Sequence, residues 1–190
     1  QPGPLPTRVR ALESRIACEI TFPRLLGYRY DIQHFNIVNA TQIVPAISVD
    51  FTGLNSDYLA QWRSITVGTA FTIPLGPTPF ALELSGHAWP NLTYRGTGRW
   101  NMRGGSDPNS FSQNPSFLHQ ADGFGGDVEV RLRYRPSPHW DLSLGWMGTW
   151  LQAKNGTDTT YFADGSKATI ALLDVKSQSN FYSVGIGYLF

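Results

Sequence analysis

Four charged side chains alternate with apolar ones between residues 127 and 133, and they form the densest group of chemically capable residues in the chain. Asp127, Glu129, Arg131 and Arg133 share one face of a predicted strand, because successive side chains of a strand point to opposite faces. Charged rows of this kind select ions or solutes in pores. In a narrow interior they also pair with one another, which offsets the cost of desolvation. We favour the second interpretation, a salt-bridge ladder.

Glu83 and His87 are a second candidate pair, four residues apart on one strand face. At the usual rise of a strand they are about 13–14 Å apart, so they cannot touch. One interpretation is an acid/base pair on the inward face of a closed sheet. The preferred interpretation is that both residues belong to a structural polar network. The full predicted network of the lumen comprises Glu19, Glu83, His87, Asp127, Glu129, Arg131, Arg133 and Asp141.

Residues that would support other chemistry are sparse. His119, Asp122 and Asp127 have a spacing that matches no defined metal site, and the single Cys18 excludes both an intramolecular disulfide and a multi-cysteine metal site. The chain has no Gly-x-Ser-x-Gly, phosphate-binding or dinucleotide motif. A net charge of +1 gives no reason to expect nucleic-acid binding. We therefore predict no catalytic residue, no metal and no cofactor.

The elements that must position these residues are strands of alternating pattern. Charged residues make up only 15% of the chain and aromatics 13%, and no run of about 20 apolar residues occurs. The mean hydropathy of -0.22 is typical of alternating strands, whose two faces average out. Seven membrane strands are predicted near residues 16–28, 35–51, 61–75, 80–94, 127–135, 140–153 and 180–190.

Aromatic side chains mark the outward faces of the last two strands. In residues 180–190, aromatic and aliphatic side chains alternate with serine and glycine, and the chain ends on Phe190. Aromatics at both edges of an apolar face indicate contact with a bilayer interface. The predicted interface aromatics are Trp140, Trp146, Trp150, Tyr182, Tyr188 and Phe190.

This terminal stretch resembles the C-terminal strand of bacterial outer-membrane β-barrel proteins, which ends in Phe with aromatics at alternate positions before it. The resemblance implies location in the outer membrane of a Gram-negative envelope and contact with outer-membrane lipid. It also implies that the barrel-insertion machinery recognises this strand. The fold expected is an all-β, antiparallel, up-and-down transmembrane β-barrel of about eight strands.

The predicted topology places short turns at residues 76–79 and 136–138 and long outer loops at about 95–126 and 154–178, with 168–176 as a hairpin within the second loop. Residues 1–15 form a proline-containing N-terminal leader, and the barrel spans 16–190. Seven strands is an odd number, whereas closed single-chain bacterial barrels are even. Residues 7–15 could supply an eighth strand, or the break at Pro45 could hide one. Alternatively, the chain could be one part of a larger barrel, truncated or assembled from several chains.

The segment from about residue 125 to 190 also looks similar to the last strands of omptin-type surface proteases, a family that uses an Asp/His pair on a strand rising into an outer loop. The comparable stretch here, residues 92–103, has no Asp-x-His motif. Barrel lipid-A deacylases use a His–Ser pair at the lipid face, whereas Ser85 and His87 are predicted to face the lumen. Neither activity is carried over.

These patterns lead to one functional expectation and two alternatives. We expect a non-enzymatic outer-membrane β-barrel with a structural or partner-binding role through its surface loops, binding a protein partner or a second copy of itself. One alternative is a porin-like channel or a subunit of a larger pore. The other is an envelope lipid-modifying enzyme.

Overall fold

The computed structural model describes residues 25–38, 53–104 and 110–190. These residues form one antiparallel sheet. Its strands are β1 (Leu25–Ile37), β2 (Ser56–Pro74), β3 (Phe80–Arg99), β4 (Phe117–Ser137), β5 (Trp140–Tyr161) and β6 (Lys167–Tyr188), and a single 3-10 turn, Asn101–Arg103, follows β3. Within the described ranges, no helix is long and apolar enough to cross a membrane.

The strands lie side by side in chain order, and each is antiparallel to the next. The sheet curls into a half-barrel, and its two edge strands approach each other on the concave side. There the Gln33 side-chain amide donates to Ser177 Oγ at 2.9 Å, which joins β1 to β6. The predicted all-β, up-and-down architecture is therefore confirmed, with six strands in the described residues where about eight were predicted.

The N-terminal strand differs from its prediction. Strands were expected at 16–28 and 35–51, with a turn between them, but β1 runs without a break from Leu25 to Ile37. Its Tyr, Arg and Asp residues favoured a turn, yet they alternate faces, so the strand continues through them. The remaining parts of those two segments, together with the predicted leader, Pro45 and Glu19, lie outside the described residues.

Both predicted long loops are shorter in the structure. β3 continues to Arg99 and β4 begins at Phe117, so much of 95–126 belongs to strands. β5 continues to Tyr161 and β6 begins at Lys167, so the predicted hairpin at 168–176 lies within β6. Polar residues on the outward face of these segments favoured loops. Outward polar residues are compatible with strands wherever that face meets water.

The short turns after Pro74 and Ser137 lie at one end of the sheet, and the connections after Ile37, Arg99 and Tyr161 lie at the other. We call the strand segments near the short turns the turn half and the remainder the loop half. In the turn half, the outward residues of β2–β5 are apolar over about 11 residues each, at 65–75, 80–90, 124–134 and 140–150, the length that a tilted strand needs to cross a bilayer. We call this surface the apolar band.

In the loop half the two faces exchange character. The inward side chains there are apolar and buried: Ala60, Trp62, Trp89, Leu92, Tyr94, Ala121, Leu151 and Ala153. The outward residues of β2–β5 there are mostly polar, and they include the exposed Thr93, Asp122 and Lys154. A shift of register between Trp89 and Leu92, at Pro90, keeps both flanking side chains inward. Each long strand therefore has two halves of opposite polarity.

Candidate functional site

The inward face of the turn half carries a connected ladder of charges. Arg133 Nε donates to both carboxylate oxygens of Asp141, at 3.2 and 3.1 Å, and its guanidinium also contacts Glu83. Arg131 lies 3.7 Å from Glu83 and forms a close ion pair with Glu129. The register explains this clustering, because Glu83 of β3 pairs directly with Arg131 of β4. The arrangement is the one expected of a salt-bridge ladder.

Arg135 extends the ladder at the turn end, where its Nε lies 2.9 Å from Asp141 Oδ2. Arg135 was not among the predicted residues of the network, although it continues the alternation of Arg131 and Arg133 by one step. The row therefore holds three arginines and three carboxylates. Glu19, the remaining predicted carboxylate of the network, lies outside the described residues.

A cavity of about 340 Å³ lies beside this ladder. Glu83, Glu129 and Arg131 line it together with His87, so the cavity is polar and charged on one side. Glu83 and His87 face the same cavity, but each is bonded to a different partner. They do not form the acid/base pair that was considered from the sequence.

Asp127 is the centre of the layer where the two halves meet, and it is only 3% exposed. Its Oδ1 lies 2.7 Å from His87 Nδ1, and its Oδ2 accepts from Trp89 Nε1 at 3.2 Å. Arg29 of β1 reaches the same carboxylate at 3.5 Å, and its guanidinium carbon lies 4.7 Å from the centroid of the Trp89 ring. A buried carboxylate needs such partners, because an unpaired buried charge is costly. Sequence reasoning missed Arg29, since it placed this residue in a turn.

The loop half holds a chain of hydrogen bonds that the sequence did not indicate. Tyr94 and Tyr58 are joined through their hydroxyls, and Tyr58 Oη lies 2.6 Å from His119 Nδ1. His119 Nε2 lies 3.2 Å from Asp158 Oδ1. The partners come from four different strands, β2 to β5, so periodicity along any one strand could not reveal them. In a neutral His119, Nδ1 accepts from Tyr58. Asp158 Oδ1 lies near Nε2 without forming a hydrogen bond to it.

His119 does not approach Asp122, because β4 alternates regularly here and the two residues lie on opposite faces. In the part of the chain that the structure describes, no group of three or more His, Cys, Asp or Glu side chains is arranged to hold a metal ion. Ser85 Oγ lies 3.5 Å from Glu129 Oε2, and His87 is bonded to Asp127. Ser85 and His87 are therefore engaged with different partners.

The predicted interface aromatics all lie outward. Tyr182 is 81% exposed, and the side chain of Phe190 is fully exposed. Trp140, Tyr188 and Phe190 contact one another at the turn end of the apolar band, with ring centroids 5.0 and 5.1 Å apart. Trp150 lies at the opposite border of the band. The predicted interface aromatics are thus found at both borders of the band and, with Trp146, between them.

Comparison with known proteins gives one match. A family model described as Pom, Protochlamydia outer membrane protein, matches residues 14–190, which is nearly the whole chain. No curated protein and no solved structure matches, so the partial likeness to omptin-type proteases stays an expectation from the sequence. The match agrees with the terminal strand, the apolar band and the up-and-down sheet, and it places the protein in the bacterial outer membrane. The chain therefore belongs to the Pom family of Protochlamydia outer membrane proteins.

Proposed function

We propose that the protein is a non-enzymatic outer-membrane β-barrel that presents its loop half outside the membrane, in a structural or partner-binding role. The observation that carries the proposal is the length of the strands. β2–β6 have 19 to 22 residues each, about twice the 9–11 residues that a tilted strand needs to cross a bilayer. A simple membrane anchor does not require the additional residues, about 10 in each strand.

The composition of the loop half supports this role. Its outward face is polar and its inward face is packed with Trp62, Tyr94 and Leu151, as in a water-soluble β-protein. It projects as a continuation of the sheet, so its surface is held in a fixed shape. Preformed surfaces bind partners at a lower entropic cost than flexible loops.

The end of the loop half is built from hydrogen-bonded connections. Ser112 N donates to Tyr161 O at 2.8 Å, and Ser116 N donates to Gly98 O at 2.8 Å, which ties the segment before β4 to its neighbours. Phe111 pairs with Phe162 of the β5–β6 turn as an isolated bridge. Exposed residues of these connections, such as Gln113 and Ala163, form the surface on which we expect contacts.

The topology is tested by labelling cysteines in intact cells, in a background where Cys18 is replaced by serine. Ala163→Cys at the loop end is expected to react with a membrane-impermeant maleimide, and Pro138→Cys at the turn end only after the membrane is opened. A photo-reactive residue at position 113 or 163 is then expected to give discrete crosslinked adducts with a protein partner. A photo-reactive residue in place of Leu144, in the apolar band, is expected to give no such adducts. Labelling of Pro138→Cys alone in intact cells would reverse the assignment.

A porin-like channel is the second candidate, and one observation favours it. The polar cavity beside Glu83, Glu129 and Arg131 could form part of a path for ions. The aromatic packing of the loop half and the cross-lumen contact of Arg29 favour a filled interior instead. Conductance measured in planar bilayers separates the closed barrel from the channel. We expect no conductance steps. Stepwise conductance that changes in the Arg131→Gln variant would show that the protein is a channel.

A further inference from the structure

Two arginines differ from all the others whose side chains the structure describes. Arg29, Arg99, Arg131, Arg133 and Arg135 each contact a carboxylate. Arg63 and Arg95 contact none among the described residues, and both are exposed on the outward face. The guanidinium carbon of Arg63 lies 4.8 Å from the centroid of the Tyr30 ring, so the side chain is oriented by an aromatic while its charge stays uncompensated.

Arg63 and Arg95 are close enough to act on one ligand. Arg63 of β2 pairs with Thr93 of β3, and Gln61 pairs with Arg95. The two arginines are thus diagonal neighbours on one face, with α-carbons about 7–8 Å apart. On the β1 side of the pair, Gln61 Nε2 donates to Tyr30 Oη at 2.7 Å, so the ring that contacts Arg63 is held against β2. Two guanidinium groups at this spacing can donate to the same oxyanion.

The depth of the pair relative to the apolar band suggests the kind of ligand. Ile65 and Pro90 are the last band residues of β2 and β3, and the arginines follow one and two outward steps beyond them. Side chains at this level meet lipid headgroups when the band fills the hydrocarbon layer. Tyr30, exposed beside Arg63, is the residue type that lies at this interface.

The opposite side of the described sheet lacks such a site at the same border. Lys154 of β5 is flanked in the register by Asp122 of β4 and Asp174 of β6, and Lys176 lies 2.7 Å from Asp174. Lys154 thus has a carboxylate directly opposite it on both neighbouring strands. Arg63 and Arg95 have none directly opposite them, and Asp122 is a diagonal neighbour of Arg95.

We propose that Arg63 and Arg95 form a binding site for a phosphate group of a lipid headgroup in the leaflet next to the loop half. Paired guanidinium groups match the oxygens of a phosphate, and the second N–H of the Gln61 amide is a further donor beside them. This assignment rests on the placement of the apolar band in the bilayer, which is part of the proposed function. It adds a specific lipid contact that the band alone does not require.

The test uses the full chain folded in detergent, with lipid retention counted by native mass spectrometry. The probes are bis-phosphorylated lipid A, the same lipid with its phosphates removed, and inorganic phosphate. The variant is Arg63→Gln/Arg95→Gln, and the matched control is Lys154→Gln, which removes an outward cation at the border on β5. The shift of the unboiled band in SDS gels, measured in parallel, reports whether each variant has folded.

We expect the double variant to lose about tenfold in affinity for the phosphorylated lipid, each single variant about threefold, and Lys154→Gln nothing. The dephosphorylated lipid is expected to bind the wild type and all four variants equally weakly. Unchanged affinity in the folded double variant, or in both single variants if the double variant does not fold, overturns the proposal. So does inorganic phosphate that binds as tightly as the lipid, since the ligand would then be a free anion. A normal band shift with unchanged lipid affinity rejects the site alone and leaves the proposed function standing.

Discussion

Arg29 Nη1 lies 3.5 Å from Asp127 Oδ2, although the strands that carry these residues are separated in the sheet by β2 and β3. A flat sheet would hold them about 14 Å apart, because neighbouring strands are about 4.8 Å from each other. The contact exists because the sheet curls, and it crosses the interior of the barrel. It therefore ties the first described strand to the middle of the sheet.

Replacing Arg29 with methionine is expected to lower the free energy of unfolding by about 1–2 kcal/mol. Asp127, buried at 3% exposure, would keep His87 and Trp89 but lose its cation, and the partial exposure of Arg29 moderates the cost. Urea unfolding in lipid vesicles, followed by tryptophan fluorescence, measures the change. Arg135→Met removes a more exposed arginine at the turn end and is expected to cost less. Equal losses in the two variants would contradict the role of the cross-lumen contact.

Replacing Trp62 with alanine is expected to cost about 3–5 kcal/mol. Trp62 is only 2% exposed and its ring centroid lies 4.4 Å from that of Tyr94, so the change leaves a cavity in the loop half. The same unfolding assay applies. Trp146→Ala, on the lipid-facing surface, is the control, and a lipid tail can fill the space it leaves. A larger loss for Trp146→Ala than for Trp62→Ala would show that the main core is not in the loop half.

The outward face of β6 provides a test of the apolar band. Val184→Arg places a charge at an 86% exposed position of the turn half and is expected to cost about 2–4 kcal/mol of folding free energy in vesicles. Gln178→Arg lies on the same face three outward residues earlier, at the border of the band opposite Trp150, and is expected to cost no more than about 1 kcal/mol. Similar costs at both positions would be inconsistent with a band whose border lies at Gln178.

Asp164, in the turn between β5 and β6, has a testable pH dependence. Its Oδ1 accepts from Ser166 Oγ at 2.6 Å and from Ser166 N at 2.8 Å, and these hydrogen bonds lower the pKa of the carboxyl. A lowered pKa means that the turn is stabilised above the ordinary pKa of aspartate and loses this support as the pH falls through the lowered value. NMR titration of the labelled carboxyl is expected to give a pKa below its usual range. Ser166→Ala should return the pKa toward that range, and a pKa that starts there would contradict the hydrogen bonds.

Much of the fold could be predicted from alternation alone. The period-two pattern placed β2, β3, β4 and β5 and predicted Glu83, Arg131, Arg133 and Asp141 on one surface. In the structure these side chains contact one another. Alternation makes this prediction possible because it indicates which face of a strand each side chain occupies. The ladder follows once neighbouring strands are paired in the up-and-down order.

Other contacts could not be predicted, because they depend on the curl and on register between distant strands. Tyr58, His119 and Asp158 come from β2, β4 and β5, and nothing in their local sequence indicates that they meet. The inner face also changes from charged to largely apolar along β3, β4 and β5. The segment 117–126 was assigned to a loop because it shows little periodicity. The segment 168–176 was assigned to a loop hairpin because a membrane strand there would place the long loops on the wrong side.

The exchange of polarity along the strands also determines how deeply the protein is inserted in its membrane. Moving the barrel by one pair of residues along its strands shifts it by about 5 Å along the membrane normal, given the usual rise and tilt. A shift of the bilayer toward the loop half would move Arg63 and Arg95 toward the hydrocarbon. A shift the other way would expose Ile65 and Trp150, the band residues at the loop-half border, to water. Both displacements are opposed, so the strands themselves specify the vertical position at which the loop half is held.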